Sequence, residues 1–249
     1  MSAQSSWAQS FFTGMFVDLW LQAMGEPHTR LEVDSLEKVL RLPAGAKVLD
    51  VACGGGRHCM GLAERGYQLT GLDISTEFLA VARSRAAERQ LPITWEQRPM
   101  QDLPWQAEFD GAYCVGNSLG GLDDDATAAF FQAVARALKP GGRFAVDNGA
   151  IAECLLPTLK ERFWVPVGDI LFLIQNRYDH VQGRLEMDFT FIREGRVEKK
   201  SGFQQVYTYR AFCRMLTEAG FGSVEGYGSA ELEAFRLGCR GLFAVATRG

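Results

Sequence analysis

No run of 18 apolar residues occurs in this 249-residue chain, so nothing in it reads as a membrane-spanning helix. The N-terminus lacks a basic region followed by an apolar core, so no secretory leader is expected and a cytoplasmic location is. The six cysteines (53, 59, 114, 154, 213 and 239) form no C-x-x-C pair, and the three histidines (28, 58 and 180) have no ligand spacing. The thiols therefore read as reduced, and no metal is expected. Lysine and arginine nowhere cluster; the densest group, Arg193 to Lys200, is interrupted by two glutamates. With a net charge of −4 the chain offers no basic face to nucleic acid, whose phosphates supply much of such binding. Repeats and low-complexity segments are absent. An apolar content of 47% at this length suits one domain, residues 1–249, with a sizeable core.

What the chain does have is an apolar strand that ends in Asp50 and opens into Gly54-Gly55-Gly56, with a helical stretch from Arg57 onward. Glycine lets the backbone turn sharply and come close to a ligand. A second strand-like run ends in Asp73, about 20 residues past the glycines, where a β-α-β unit sets an acid against a ribose. Asp73 reads as that ribose ligand or as a cap for the helix from Thr76, although Ser75 is the better cap. A phosphate-cradling loop would end in Gly-Lys-Ser/Thr, and this one ends Gly56-Arg57-His58. A dinucleotide fingerprint begun at Gly54 would need its third glycine at Cys59. The pattern left is acid-x-small-x-Gly-x-Gly: Asp50, Ala52, Gly54, Gly56.

That pattern resembles motif I of the class I S-adenosylmethionine-dependent methyltransferases. Four further segments resemble the family's in order: Gly71–Ser75, Met100–Pro104, Phe109–Asn117 and Leu138–Phe144. The resemblance implies a Rossmann-like, doubly wound seven-stranded α/β sheet, mostly parallel with the last strand reversed. It implies S-adenosyl-L-methionine as cofactor and in-line displacement of its methyl group to an N or O atom of a small-molecule acceptor. The cofactor-binding set it implies is Asp50, Ala52, Cys53, Gly54, Gly56, Asp73, Ile74, Met100, Gln101, Val115, Gly116 and Arg30. Asp50 is expected to act near the ammonium, usually indirectly. Many members carry an acid for the adenine amino group where this chain has Pro99, so Met100 backbone or Gln101 must read that edge. A non-catalytic S-adenosylmethionine-binding regulator is an alternative; an NAD-dependent oxidoreductase is another, disfavoured by the glycine spacing.

Strands are expected near 47–51, 67–72, 92–96, 109–115 and 143–148, with helices near 57–65, 76–89 and 125–138, all within a cofactor-binding core at 43–150. Residues 1–42 read as N-terminal helices. Phe12, Phe16, Leu19 and Trp20 fall on one face of a helix over 5–24, packed on a sheet edge or closing over the cofactor. A second helix runs from about Arg30 to Leu40. Residues 163–209 read as an antiparallel elaboration, a substrate lid or a homodimer face, with Val165 to Ile174 as one strand. Residues 210–249 return to the core with a helix and two strands.

On the substrate side the candidates are Asn117, Arg177, Tyr178, His180 and Tyr207. Asn117 is either an acceptor contact or a turn residue. Arg177 would clamp an acid or lie solvated, and His180 would be a base or structural. Asp147-Asn148 matches a pair in the metal-dependent catechol-type methyltransferases, but their acid after strand four is missing here. No catalytic residue is assigned.

Overall fold

The structure is a computed structural model that describes residues 3–249, with side chains from Trp7 onward. Three helices come first: α1 (Ala3–Phe11), α2 (Met15–Ala23) and α3 (Glu26–Leu40). Then strand and helix alternate through β1 (Lys47–Val51), α4 (Arg57–Ala63), β2 (Gln68–Asp73), α5 (Thr76–Glu88), β3 (Thr94–Gln97), β4 (Phe109–Cys114), α6 (Asp124–Ala137) and β5 (Leu138–Asn148). Val48, Leu49 and Val51 are fully buried, as expected of a parallel strand covered on both faces. Ser75 caps α5 by accepting Phe78 N at 3.2 Å, and Asp123 caps α6 by accepting Ala126 N at 2.9 Å.

After a helical turn, α7 (Ala152–Leu155), the chain builds a separate antiparallel sheet from β6 (Arg162–Val167), β7 (Ile170–Asp179), β8 (Arg184–Arg193) and β9 (Arg196–Gln205). It then returns through α8 (Tyr209–Glu218), β10 (Phe221–Tyr227) and β11 (Leu242–Arg248). The main sheet has seven strands in the order β10-β11-β5-β4-β1-β2-β3, and β11 runs antiparallel to both neighbours. This is the Rossmann-like arrangement expected, including its reversed last strand. Strand order switches direction between β1 and β4, which opens a crevice beyond their carboxyl ends.

One face of the main sheet buries Phe130, Phe131, Phe144, Phe212 and Phe221; the other buries Leu36, Leu62, Leu79 and Tyr113. Each such side chain contributes about 1.5–3 kcal/mol through burial. A third cluster joins Phe11, Met15 and Leu19 of the N-terminal helices to Ile170, Phe189 and Phe191 of the second sheet. These helices therefore pack on the antiparallel elaboration, and a cavity runs between them, that sheet and the strand exits of the main sheet.

Three expectations need correction. The helix expected over 5–24 is broken at residues 12–14. Gly14 (φ 61°) donates its N–H to Glu77 at 2.8 Å, and Met15 N donates to Glu198 at 3.0 Å. Two carboxylates thus satisfy the free amides at the start of α2, which an unbroken helix would bond internally. The second helix begins at Glu26 and not near Arg30, because Pro27 fits a first turn that needs no N–H. The strand expected over 165–174 is a hairpin, reversed at Gly168 (φ 55°), with apolar residues on both arms hiding the turn. The elaboration's strands span 162–205, and Tyr209 already belongs to α8. Among the described residues no helix is long and apolar enough to cross a membrane.

Candidate functional site

The loop leaving β1 is held from behind by β2. Cys53 N donates to Leu72 O at 2.9 Å, and Gly54 N donates to Asp73 Oδ2 at 2.8 Å. Ser75 N donates to Asp73 Oδ1, also at 2.8 Å. Burial raises the Asp73 pKa, opposed by these backbone N–H groups and that of Ile74. A side chain at Gly54 (φ 53°) would meet no atom within 4 Å and would project into open space beside the Asp73 carboxylate. Ala52 (φ 62°) holds a left-handed conformation at the same exit, which stores backbone strain. Gly56 serves packing instead: a Cβ there would lie 2.5 Å from the Trp95 ring.

Asp50 lies beneath this loop, 1% exposed, and accepts from Cys59 Sγ at 3.2 Å. Burial pushes its pKa up to about 7 against the hydrogen bonds of Cys59 and Tyr113. Neither Asp50 nor Gly56 is among the described residues lining the two cavities at the strand exits, so any influence on a ligand there passes through the loop.

Two cavities meet at the strand exits and share Ala52, Gly54, Gly116 and Ser118. The smaller, about 280 Å³, is polar and is bounded by Cys53, Val115, Arg57, His58 and Arg30. Behind it Glu32 accepts from Arg57 and from His58 at 3.0 Å, and its other oxygen lies 3.2 Å from His28 Nε2. Burial raises the Glu32 pKa, but the His58 and Arg57 hydrogen bonds outweigh it and bring it to about 2. Burial lowers the His58 pKa, which favours the neutral ring. Arg30, by contrast, is exposed and has no carboxylate partner among the described residues. The larger cavity, about 590 Å³, holds Asp73, Ile74, Met100, Gln101 and Asn117 at one end and continues between α1–α2 and the second sheet.

Of the substrate-side candidates only Asn117 lines this cavity. Along β7 it is Phe172, Ile174 and Asn176 that face it, so Arg177 points to the opposite side, where it pairs with Glu186. Tyr178 has the right parity but does not line the cavity, and His180 is exposed in the turn after β7. Tyr207 has left the sheet; its hydroxyl donates to Asp124 at 2.9 Å and it bridges Ile151. These four therefore lie outside the lining of this cavity, and Arg177 and His180 take the solvated and turn placements that the sequence also allowed.

Asn117 (φ 58°) joins the two sheets. Its Oδ1 accepts Gly149 N at 2.9 Å and Gln204 Nε2 at 2.8 Å, while its own N–H donates to Asp147 at 2.8 Å. Asp147 also accepts Gly116 N at 3.0 Å, so this carboxylate shapes the loop after β4. Gln204, 5% exposed on β9, and the Glu32 group were not singled out from the sequence. Gln204 sits in a run with no marking pattern, and Glu32 meets Arg57 and His58 only across the α3–α4 contact.

Comparison with known proteins agrees with this geometry. Residues 48–142 match a family model described as a methyltransferase domain. A ubiquinone biosynthesis O-methyltransferase of Idiomarina loihiensis is 38% identical over 131 residues, 50% of this chain and 53% of that protein. The chain thus spans about half the length of the curated relatives it matches. An S-adenosylmethionine-dependent methyltransferase from Clostridium acetobutylicum superposes with a TM-score of 0.80 at 17% identity, over 94% of this chain and 97% of that one. The sugar N-methyltransferase KedS8 from a Streptoalloteichus species gives 0.64 at 24% identity, over 93% and 92%. Residues 48–142 thus match the methyltransferase domain, and the chain around them, with its reversed last strand, has the fold of the S-adenosylmethionine-dependent methyltransferases.

Proposed function

We propose that the chain is an enzyme that methylates an N or O atom of a small molecule, with S-adenosylmethionine as donor. The observation that carries this reading is the open space beside Gly54 and Asp73, which continues into a chamber large enough for a second molecule. The residues fit the cofactor. Asp73, with one oxygen on Gly54 N and one on Ser75 N, retains lone pairs for two vicinal ribose hydroxyls. Ile74, Met100 and Gln101 would flank the adenine. Arg30, at the mouth of the polar cavity, would take the amino-acid carboxylate, and Gly54 and Cys53 backbone would line that end.

When bound, that cofactor supplies a methyl group on a positively charged sulfur, ready for in-line displacement. The protein's task is then alignment, and holding two partners in line can account for much of a rate enhancement. Gly116 and Asn117 stand where the two cavities meet, so this corner would set the approach of the acceptor. The relatives' names include both an O- and an N-methyltransferase, and both classes remain within this proposal.

The test is calorimetric titration with S-adenosylhomocysteine, followed by turnover with methyl-labelled S-adenosylmethionine and an acceptor panel. Micromolar binding together with label in a product supports the reading. Binding with no turnover across the panel would favour a cofactor-sensing regulator; no binding, with uptake of NAD, would overturn both.

A further inference from the structure

The chamber beyond the cofactor end is bounded by rings. Phe172 and Phe189 stack at 5.7 Å and 20°, Phe16 and Trp20 stack at 6.1 Å and 24°, and Phe11 meets Phe189 edge-on at 5.6 Å. Among the described residues only two charged side chains line the whole cavity. One is Asp73, committed to the loop and, on the reading above, to the ribose. The other is Lys160, which is exposed to solvent. No histidine and no second carboxylate is among the described residues that face the chamber. An ammonium carried into it would meet no carboxylate but Asp73, and a carboxylate no cation but the solvated Lys160.

Its polar corner is made of amides whose orientation is set by their partners. Gly149 N can only donate, so the atom it meets at 2.9 Å must be Asn117 Oδ1. Gln204 Nε2 donates to the same oxygen at 2.8 Å, which fills it. Asn117 Nδ2 faces Gln204 Oε1 at 3.4 Å, a single partner for a group with two hydrogens. The corner therefore offers a neutral donor to whatever the chamber holds.

We propose that the methyl acceptor is a flat, uncharged aromatic molecule, seated between the Phe172–Phe189 and Phe16–Trp20 walls, with a lone-pair edge that accepts a hydrogen bond from Asn117 Nδ2. This rests on the methyltransferase reading and narrows it. Stacked rings recognise a flat apolar face, and a charged acceptor would give up its hydration with no counter-ion at the Asn117 corner.

Three probes with one ring system and different charge test it: 2-naphthol, 2-naphthylmethylammonium and 2-naphthoate, titrated into protein saturated with S-adenosylhomocysteine. The expected result is a Kd for 2-naphthol of about 1 mM or tighter and at least about tenfold below that of either ion. Asn117→Asp should shift the order toward the ammonium. An ion that binds the wild type as tightly as 2-naphthol, or no binding by any of the three, overturns the proposal without reference to the variant. Should S-adenosylhomocysteine itself not bind, the methyltransferase reading fails first. The same three titrations on the free protein then still decide the charge preference of the chamber.

Discussion

Asp73 Oδ2 accepts the backbone N–H of Gly54 at 2.8 Å, across 19 residues of chain. One carboxylate thus ties the exits of β1 and β2 together and borders the cavity with the same group. A hydrogen bond to a charged group contributes about 1.5–3 kcal/mol. Asp73→Asn should therefore weaken S-adenosylhomocysteine about 10- to 100-fold in a calorimetric titration. An unchanged Kd, with the fold intact by circular dichroism, would remove Asp73 from the ribose.

Asp50 gives the protein a pH-dependent stability. Its folded pKa of about 7 lies above the ordinary aspartate value of 3.8. The protonated form is the one the fold prefers, so this contribution is complete below about pH 4 and is lost as pH rises to about 7. Asp147, raised to about 6, acts in the same direction. Glu32, lowered to about 2, acts in the opposite direction and only at more acid pH, below about 4.5. A tenfold change in acidity on folding corresponds to about 1.4 kcal/mol. Asp50→Asn should lie closest to the wild type in thermal melts at or below about pH 4 and gain on it increasingly up to pH 7. Parallel melting curves would show that Asp50 is not the group that titrates.

Trp7 seals one end of the large cavity. Its indole N–H donates to Ser201 O at 3.0 Å and its ring stacks on Phe11 at 4.8 Å. A Cβ on Gly121 (φ 78°) would lie 2.0 Å from that ring. Gly121→Ala should push Trp7 outward, shift its fluorescence to the red, and cost about 1–3 kcal/mol in urea unfolding. Unaltered emission and stability would mean that the ring is not packed there.

Asn117 combines a side-chain bridge with a left-handed backbone. Asn117→Gly removes the bridge to Gly149 and Gln204 and keeps the backbone conformation accessible; Asn117→Ala also adds strain at φ 58°. Both should unfold at lower urea than the wild type, with Ala below Gly by about 1 kcal/mol. Equal midpoints would separate the bridge from the backbone in favour of the bridge alone.

The alternation from β1 to β5 was legible because each element carries its own signal within a few residues. Val48–Val51 is a doubly buried strand, Ser75 is a local cap, and the glycines after Asp50 mark one turn. The grouping of Ala52, Gly54, Asp73 and Met100 around one cavity was legible for the same reason, since they lie at ends of consecutive strands. What the sequence hid depends on distant partners. The break at residues 12–14 is held by Glu198, 183 positions from Met15. For Arg177 and His180 the sequence left two readings each, and only strand parity and the turn after β7 show that they point away from the chamber. Gln204 reads as one polar residue among many until Asn117 meets it from another sheet.

The insertion that carries β6 to β9 starts and finishes at one place. Tyr207 N donates to Ala150 O at 3.2 Å, Ala152 N donates to Tyr207 O at 2.8 Å, and Ile151 bridges Tyr207. The intervening chain hangs from a closed neck, like a cassette plugged into a socket. A change of length can be absorbed at its hairpin turns, whereas a change at Gln204 or Glu198 reaches back to Asn117 and Met15.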